Sequence, residues 1–223
     1  MANNRLVDRQ ALGVAEAQLA RVAAQGVAGH AHLCALVEAS SANAARDLAD
    51  AIHLLCSLYG RHPGLLDMVL GLSARGPASA WLQEATDAFE RERLYVVRLS
   101  SAVGPLPSTP GAAETEAALL AQRHAIETLA KSERRGCALG AATAFVADWR
   151  GVRQMLDRAA ARVGVECPAQ ILPDDESIAR VIETASDGPA SERALGFGGE
   201  QLLLQHRGLL DLLEARAAAR ADY

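Results

Sequence analysis

A chain of 223 residues can bury a core of ordinary size without disulfide or metal staples. Half of it is hydrophobic but only 4% is aromatic, an alanine- and leucine-rich balance that favours helices over sheets. The formal net charge of −5 and the pI near 5.7 leave no broad cationic field, so sequence-independent binding to nucleic acid or anionic lipid has no electrostatic support.

In chain order, a first helix is expected over about residues 5–24, stopped near Gly26 and Gly29. Its polar residues interrupt the apolar core that a signal peptide requires, which predicts a cytoplasmic chain. A short helix follows over 31–39. "SSANAARDLADAIHLLCSLYG" has a polar start, apolar residues at Leu48, Ile52, Leu55 and Tyr59, and a closing glycine, and reads as a helix. "HPGLLDMVLGL" reads as a short helix with proline in its first turn. "PASAWLQEATDAFERERLYVVRLSSAVG" is the clearest amphipathic helix, with Trp81, Ala85, Ala88, Tyr95, Val96, Leu99 and Val103 on one face.

"PLPSTPG", residues 105–111, cannot continue a helix and is expected to be a loop. The helical pattern over about 112–163 is too long for an ordinary domain unless broken, and a tight connection is placed at 131–136, where serine, charge and glycine gather. "GVECPAQILPDDE" leads to a short helix over 175–185 with Asp174 as its N-cap, and "SDGPAS" is a turn. The last helix, about 191–219, carries Leu202, Leu209 and Leu213 in register, while "GFGGE" weakens its first turns and reads as a kink. "GCALG", residues 136–140, has small residues four apart, which lets two helices pack closely.

No strand-like alternation or internal repeat is found, and no window reaches the roughly 18 apolar residues that span a bilayer. The fold class is therefore all-α: a bundle of about four long helices, compatible with ferritin-like up-down packing, with shorter flanking helices. One domain over 1–223 is expected, built from N-terminal helices in 1–76, central long helices in 77–163 and C-terminal helices in 164–223 on the same core. The four cysteines, Cys34, Cys56, Cys137 and Cys167, contain no C-x-x-C pair and are expected as reduced, mostly buried thiols.

Some polar residues fall on apolar faces. Glu92 aligns with Ala88, Tyr95 and Leu99; Glu133 follows Ile126, Leu129 and Ala130; Asp148 borders the Phe145, Trp149, Val152 and Leu156 stripe. His206 aligns with Leu202, Leu209 and Leu213, and His30 with Cys34 and Val37. Carboxylates and imidazoles from facing helices can hold iron or manganese, so Glu92, Glu133, Asp148, His206 and His30 are the candidate metal ligands. The competing reading makes the acids interhelical anchors, each neutralised by an arginine such as Arg91, Arg98, Arg123, Arg134, Arg150 or Arg153. The chain has no Glu-x-x-His, and "HAIE" runs in the reverse order. No G-x-S-x-G, P-loop or nucleophile constellation is present, so no catalytic residue is assigned.

Two stretches, "SERRGCALGAATAFVADWRGVRQMLDRAA" and "FGGEQLLLQHRGLLDLLEAR", resemble a family of bacterial all-helical proteins of unknown function, over the C-terminal half. The order of long helices around a proline-rich loop looks like that of ferritin-like bundles, an analogy of architecture. The expected function is a binding or interaction module for a partner protein or a small ligand, with self-association left open, no nucleic acid or membrane partner, and no cofactor. The alternative is a divergent ferritin-like, carboxylate-bridged metalloprotein of oxidoreductase type, holding iron or manganese.

Overall fold

The computed structural model describes residues 12–38, 42–73 and 76–221. Among them the chain forms α1 (Val14–Gln25), a 3-10 turn (Val27–Gly29), α2 (Ala31–Glu38), α3 (Ala42–Tyr59) and α4 (Leu65–Ser73). The longer α5 (Ser79–Ala102), α6 (Ala112–Ala130) and α7 (Cys137–Val163) follow, then α8 (Asp175–Ala185) and α9 (Pro189–Ala221). The described residues contain no strand, and the fold is an all-α bundle in which α5, α6, α7 and α9 are the long members. None of the described helices is long and apolar enough to cross a membrane.

The local signals explain most boundaries. The Asp174 side chain accepts from the Ser177 amide at 2.8 Å, satisfying a backbone donor that the first turn of α8 cannot satisfy itself. Gly136 takes a positive φ of 95° immediately before α7, so the pattern over 112–163 breaks between α6 and α7, at the expected connection. Pro63 does not lie in the first turn of α4; it belongs to the bend before it, and α4 begins at Leu65. The part of the first expected helix over residues 5–11, and residue 39 at the end of the second, lie outside the described residues.

α7 is the axis of the molecule. Of its 27 residues 19 are buried, and it contacts each of the other described helices and the 3-10 turn. A helix buried over most of its surface is one that other helices enclose. Its closest partner is α9. A Cβ added to Gly140 would lie 2.0 Å from the Leu195 carbonyl oxygen, and one added to Gly198 would lie 2.0 Å from that of Cys137. The two backbones touch through these glycines. This corrects the expected kink at "GFGGE": α9 runs unbroken through it, because what the glycines cost in helix propensity is offset by the close packing they admit. The 3-10 turn packs on the same axis, where a Cβ on Gly151 would meet Val27 Cγ2 at 2.7 Å.

One set of buried apolar side chains draws on every helix, from Ala15 on α1 to Leu213 on α9. The cysteines depart from expectation: Cys137 is buried, Cys56 is half-buried, and Cys34 and Cys167 are exposed, all with free thiols.

Candidate functional site

Among the described residues, three buried polar clusters tie the helices together. In the first, Glu92 on α5 is 1% exposed, and both of its oxygens are engaged across the helix interface. Oε1 accepts from Arg153 Nη1 at 2.7 Å and Oε2 from Trp149 Nε1 at 3.0 Å. Arg153 continues the network, donating through Nε to Asp157 Oδ1 at 2.7 Å and through Nη2 to the Pro168 carbonyl at 2.5 Å. Its guanidinium lies 4.7 Å from the centroid of the Tyr95 ring. The Tyr95 hydroxyl donates to Asp157 Oδ1 at 2.9 Å. Burial, reinforced by bonds to Cys167 and Asp157, pushes the Tyr95 phenol above the usual tyrosine range. For Arg153, burial alone would lower the pKa, but the Asp157 hydrogen bond and the nearby Glu92 charge outweigh it and raise the value.

In the second cluster Asp148 on α7 holds two elements. Oδ1 accepts from the Val27 amide at 2.8 Å, and Oδ2 lies 2.7 Å from His206 Nδ1 on α9. A carboxylate oxygen accepts, so Nδ1 is the protonated nitrogen. His206 Nε2 and the Tyr59 hydroxyl, both buried, have no hydrogen-bond partner among the described residues, and the two rings meet edge-on at 5.6 Å. Both residues line a void of about 10 Å³, too small for an organic ligand. Burial, together with the charge of Asp148, pushes the Tyr59 phenol well above its ordinary range.

The third cluster was not legible in advance. Asp50 is fully buried, accepting from Arg216 Nη2 at 2.7 Å and Nε at 2.9 Å and from Arg220 Nη1 at 2.5 Å. Asp47 takes the second nitrogen of Arg220 at 2.7 Å. The same guanidinium groups donate to Thr109 and Thr115, tying the 105–111 loop and the start of α6 to α3 and α9. The available signal was the spacing: Asp47 and Asp50 are three apart and Arg216 and Arg220 four apart, so each pair shares a helix face.

The five candidate metal ligands do not converge. Glu92 is with Arg153 and Trp149, Asp148 with His206 and the Val27 amide, and the four oxygens of these two acids all have N–H partners. Glu133 is exposed in the connection between α6 and α7, because the helix that would have carried it inward ends at Ala130. His30 is buried and pairs instead with Asp211, Nε2 to Oδ1 at 3.0 Å. Among the described residues, the one set of three metal-type donors within 4.8 Å of one another is His30, Asp211 and Glu214. There His30 Nδ1 accepts from the His32 amide at 3.2 Å, so in the neutral ring Nε2 carries the proton and presents no lone pair to an ion. The expected arginine pairing holds for Glu92; the partner of Asp148 is a histidine.

A concavity lies one ring away from His206, behind Tyr59 and Phe145. A cavity of about 290 Å³ opens where the end of α3 meets α4, α5, α6 and α7. Its apolar wall includes Tyr59, Leu65, Met68, Phe89, Ile126 and Phe145. The rings interlock, with centroids 4.7 Å apart for Phe89 and Phe145 and 5.5 Å for Tyr59 and Phe145. Around it stand Arg61, His62, Arg123 and Lys131, with Glu127 the one acid in the lining. Lys131 and Glu127 face each other at 3.7 Å. Arg123 Nη2 donates to the Ser57 carbonyl at 2.9 Å, while its buried Nε has no partner among the described residues. A buried ion pair braces the rim: Arg93 donates to Asp67 at 2.6 Å and lies 3.1 Å from His62 Nδ1, and Asp67 accepts from the Gly64 amide at 2.7 Å. The sequence reading missed this site because its walls come from five helices, and Tyr59 and Phe145 read there as core alone.

No curated protein and no solved structure matches the chain. A family model does match, over residues 22–221, well beyond the C-terminal half that first suggested a resemblance. The chain therefore belongs to DUF6975, a family of unknown function.

Proposed function

We propose that the protein binds a small organic molecule in the cavity between α3, α4, α5, α6 and α7. The observation that carries this reading is the 290 Å³ cavity itself, in which an aromatic and aliphatic wall lies beneath a few polar groups. That volume stands at the lower end of the range for small-molecule sites, and the lining follows their usual composition. Close packing elsewhere around α7, down to backbone contact at Gly140 and Gly198, makes a cavity of this size a departure from the rest of the core.

Titration with an uncharged aromatic probe, 1-naphthalenemethanol, tests the reading by thermal unfolding and calorimetry. Binding to the folded state raises stability by about 2.7 kcal/mol when the probe is at 100 times its Kd. Met68→Trp, which places a larger ring at the cavity wall, should abolish the effect. Absence of stabilisation, or stabilisation that Met68→Trp leaves unchanged, would overturn the proposal.

A further inference from the structure

Resting on the ligand-binding reading above, we infer that the cavity takes an aromatic carboxylate, with its ring among Tyr59, Phe89 and Phe145 and its carboxylate at Arg61 and Arg123. Three observations carry the inference.

The first is charge. The protein is acidic overall, at −5, yet the cavity collects Arg61, Arg123 and Lys131 against the single acid Glu127. Glu127 faces Lys131, and the acids beneath the rim, Asp67 and Glu90, are bound to Arg93. Arg123 is held by a neutral carbonyl, and Arg61 stands exposed with no acid against it among the described residues. The cavity thus keeps two guanidinium groups whose charge no described side chain neutralises. Guanidinium groups recognise carboxylates through paired N–H donors.

The second is size. An apolar cavity of about 150 Å³ holds one benzene ring. By the same packing, 290 Å³ admits about twelve non-hydrogen atoms, the size of a fused bicyclic ring with a carboxylate.

The third is the wall. Phe89 and Phe145 are inclined at 66° and Tyr59 and Phe145 at 52°, so the lining presents ring edges and faces together. A further ring continues that herringbone packing, and the Met68 thioether at the same wall favours an aromatic neighbour over an alkyl chain.

The test compares 1-naphthoate with 1-naphthamide, 1-naphthalenemethanol and decanoate by calorimetry on the full chain. Naphthoate should bind roughly tenfold or more tightly than either neutral analogue, the least expected of a charge-assisted pair. That advantage should shrink as salt is added. It should also collapse in Arg61→Gln/Arg123→Gln, where glutamine can still donate to the Ser57 carbonyl, while binding of the neutral analogues persists. Equal affinity for the acid and its amide would overturn the anionic assignment and leave the cavity reading standing. Decanoate binding more tightly than naphthoate would overturn the aromatic assignment. If 1-naphthalenemethanol does not bind to the wild-type chain, the cavity reading fails, and this inference with it.

Discussion

Replacing Glu92 by glutamine should cost this protein about 3 kcal/mol. The carboxylate holds two donors from α7, and glutamine can replace only part of what it does: its carbonyl can still accept from Trp149 Nε1, but the charge opposite Arg153 is gone. Removing one member of a buried ion pair costs about 3–5 kcal/mol, because the other charge is left in a medium that solvates it poorly. The lower end applies here, since Arg153 keeps Asp157, which is partly exposed, and the Pro168 carbonyl. For a domain of this size that is a fall in Tm of about 6–12 °C. Urea unfolding followed by far-ultraviolet circular dichroism measures the free energy, and a cycle with Arg153→Met and the double variant isolates the pair. With both charges removed, the double variant should lose less than the sum of the singles by about 1–3 kcal/mol. A Glu92→Gln protein within about 0.5 kcal/mol of wild type, or strictly additive singles, would refute the assignment of Glu92 as an interhelical anchor.

Gly140→Ala and Gly198→Ala should each prevent α7 and α9 from meeting, with losses above about 3 kcal/mol in chemical unfolding, whereas Gly71→Ala, with nothing within 4 Å of the new methyl group, should stabilise α4 by about 0.5–1 kcal/mol. Asp50→Asn strands the buried Arg216 and leaves Arg220 with Asp47 alone, and should cost about 3–5 kcal/mol, while Asp47→Asn, at a partly exposed pair, should cost about 1 kcal/mol or less; equilibrium denaturation of the two variants decides. Thermal stability should fall as pH rises above about 10: Tyr59 and Tyr95 stay protonated in the fold while the unfolded chain releases those protons, so the folded state binds more of them and loses ground with each step upward. In Tyr59→Phe/Tyr95→Phe a Tm series across this range should be flatter, and an unchanged slope would show that neither phenol is perturbed.

Helix boundaries were legible wherever backbone chemistry dictates them. Asp174 caps α8 as expected, the 105–111 loop stands where prolines forbid a helix, and the break at 131–136 falls where Gly136 supplies a positive φ. Tertiary neighbours were not legible. Glu133 looked inward only so long as its helix was extended past Ala130. Asp50 escaped notice because a single apolar stripe was assumed for α3, whereas Ala49, Asp50, Ala51 and Ile52 are all buried there by helices on more than one side. The cavity has no local signature, since its lining is brought together from residues as far apart as Leu58 and Phe145.

The bond from the Val27 amide to Asp148 spans 121 positions in the chain. The turn that joins α1 to α2 is thus completed by a side chain made much later in synthesis, and it cannot close until α7 has taken its place. The proton on that amide becomes a remote gauge: its exchange with solvent should be as slow as the opening of α7 permits, although Val27 lies near the start of the chain. Followed by hydrogen exchange, one N-terminal amide would time the assembly of the whole bundle.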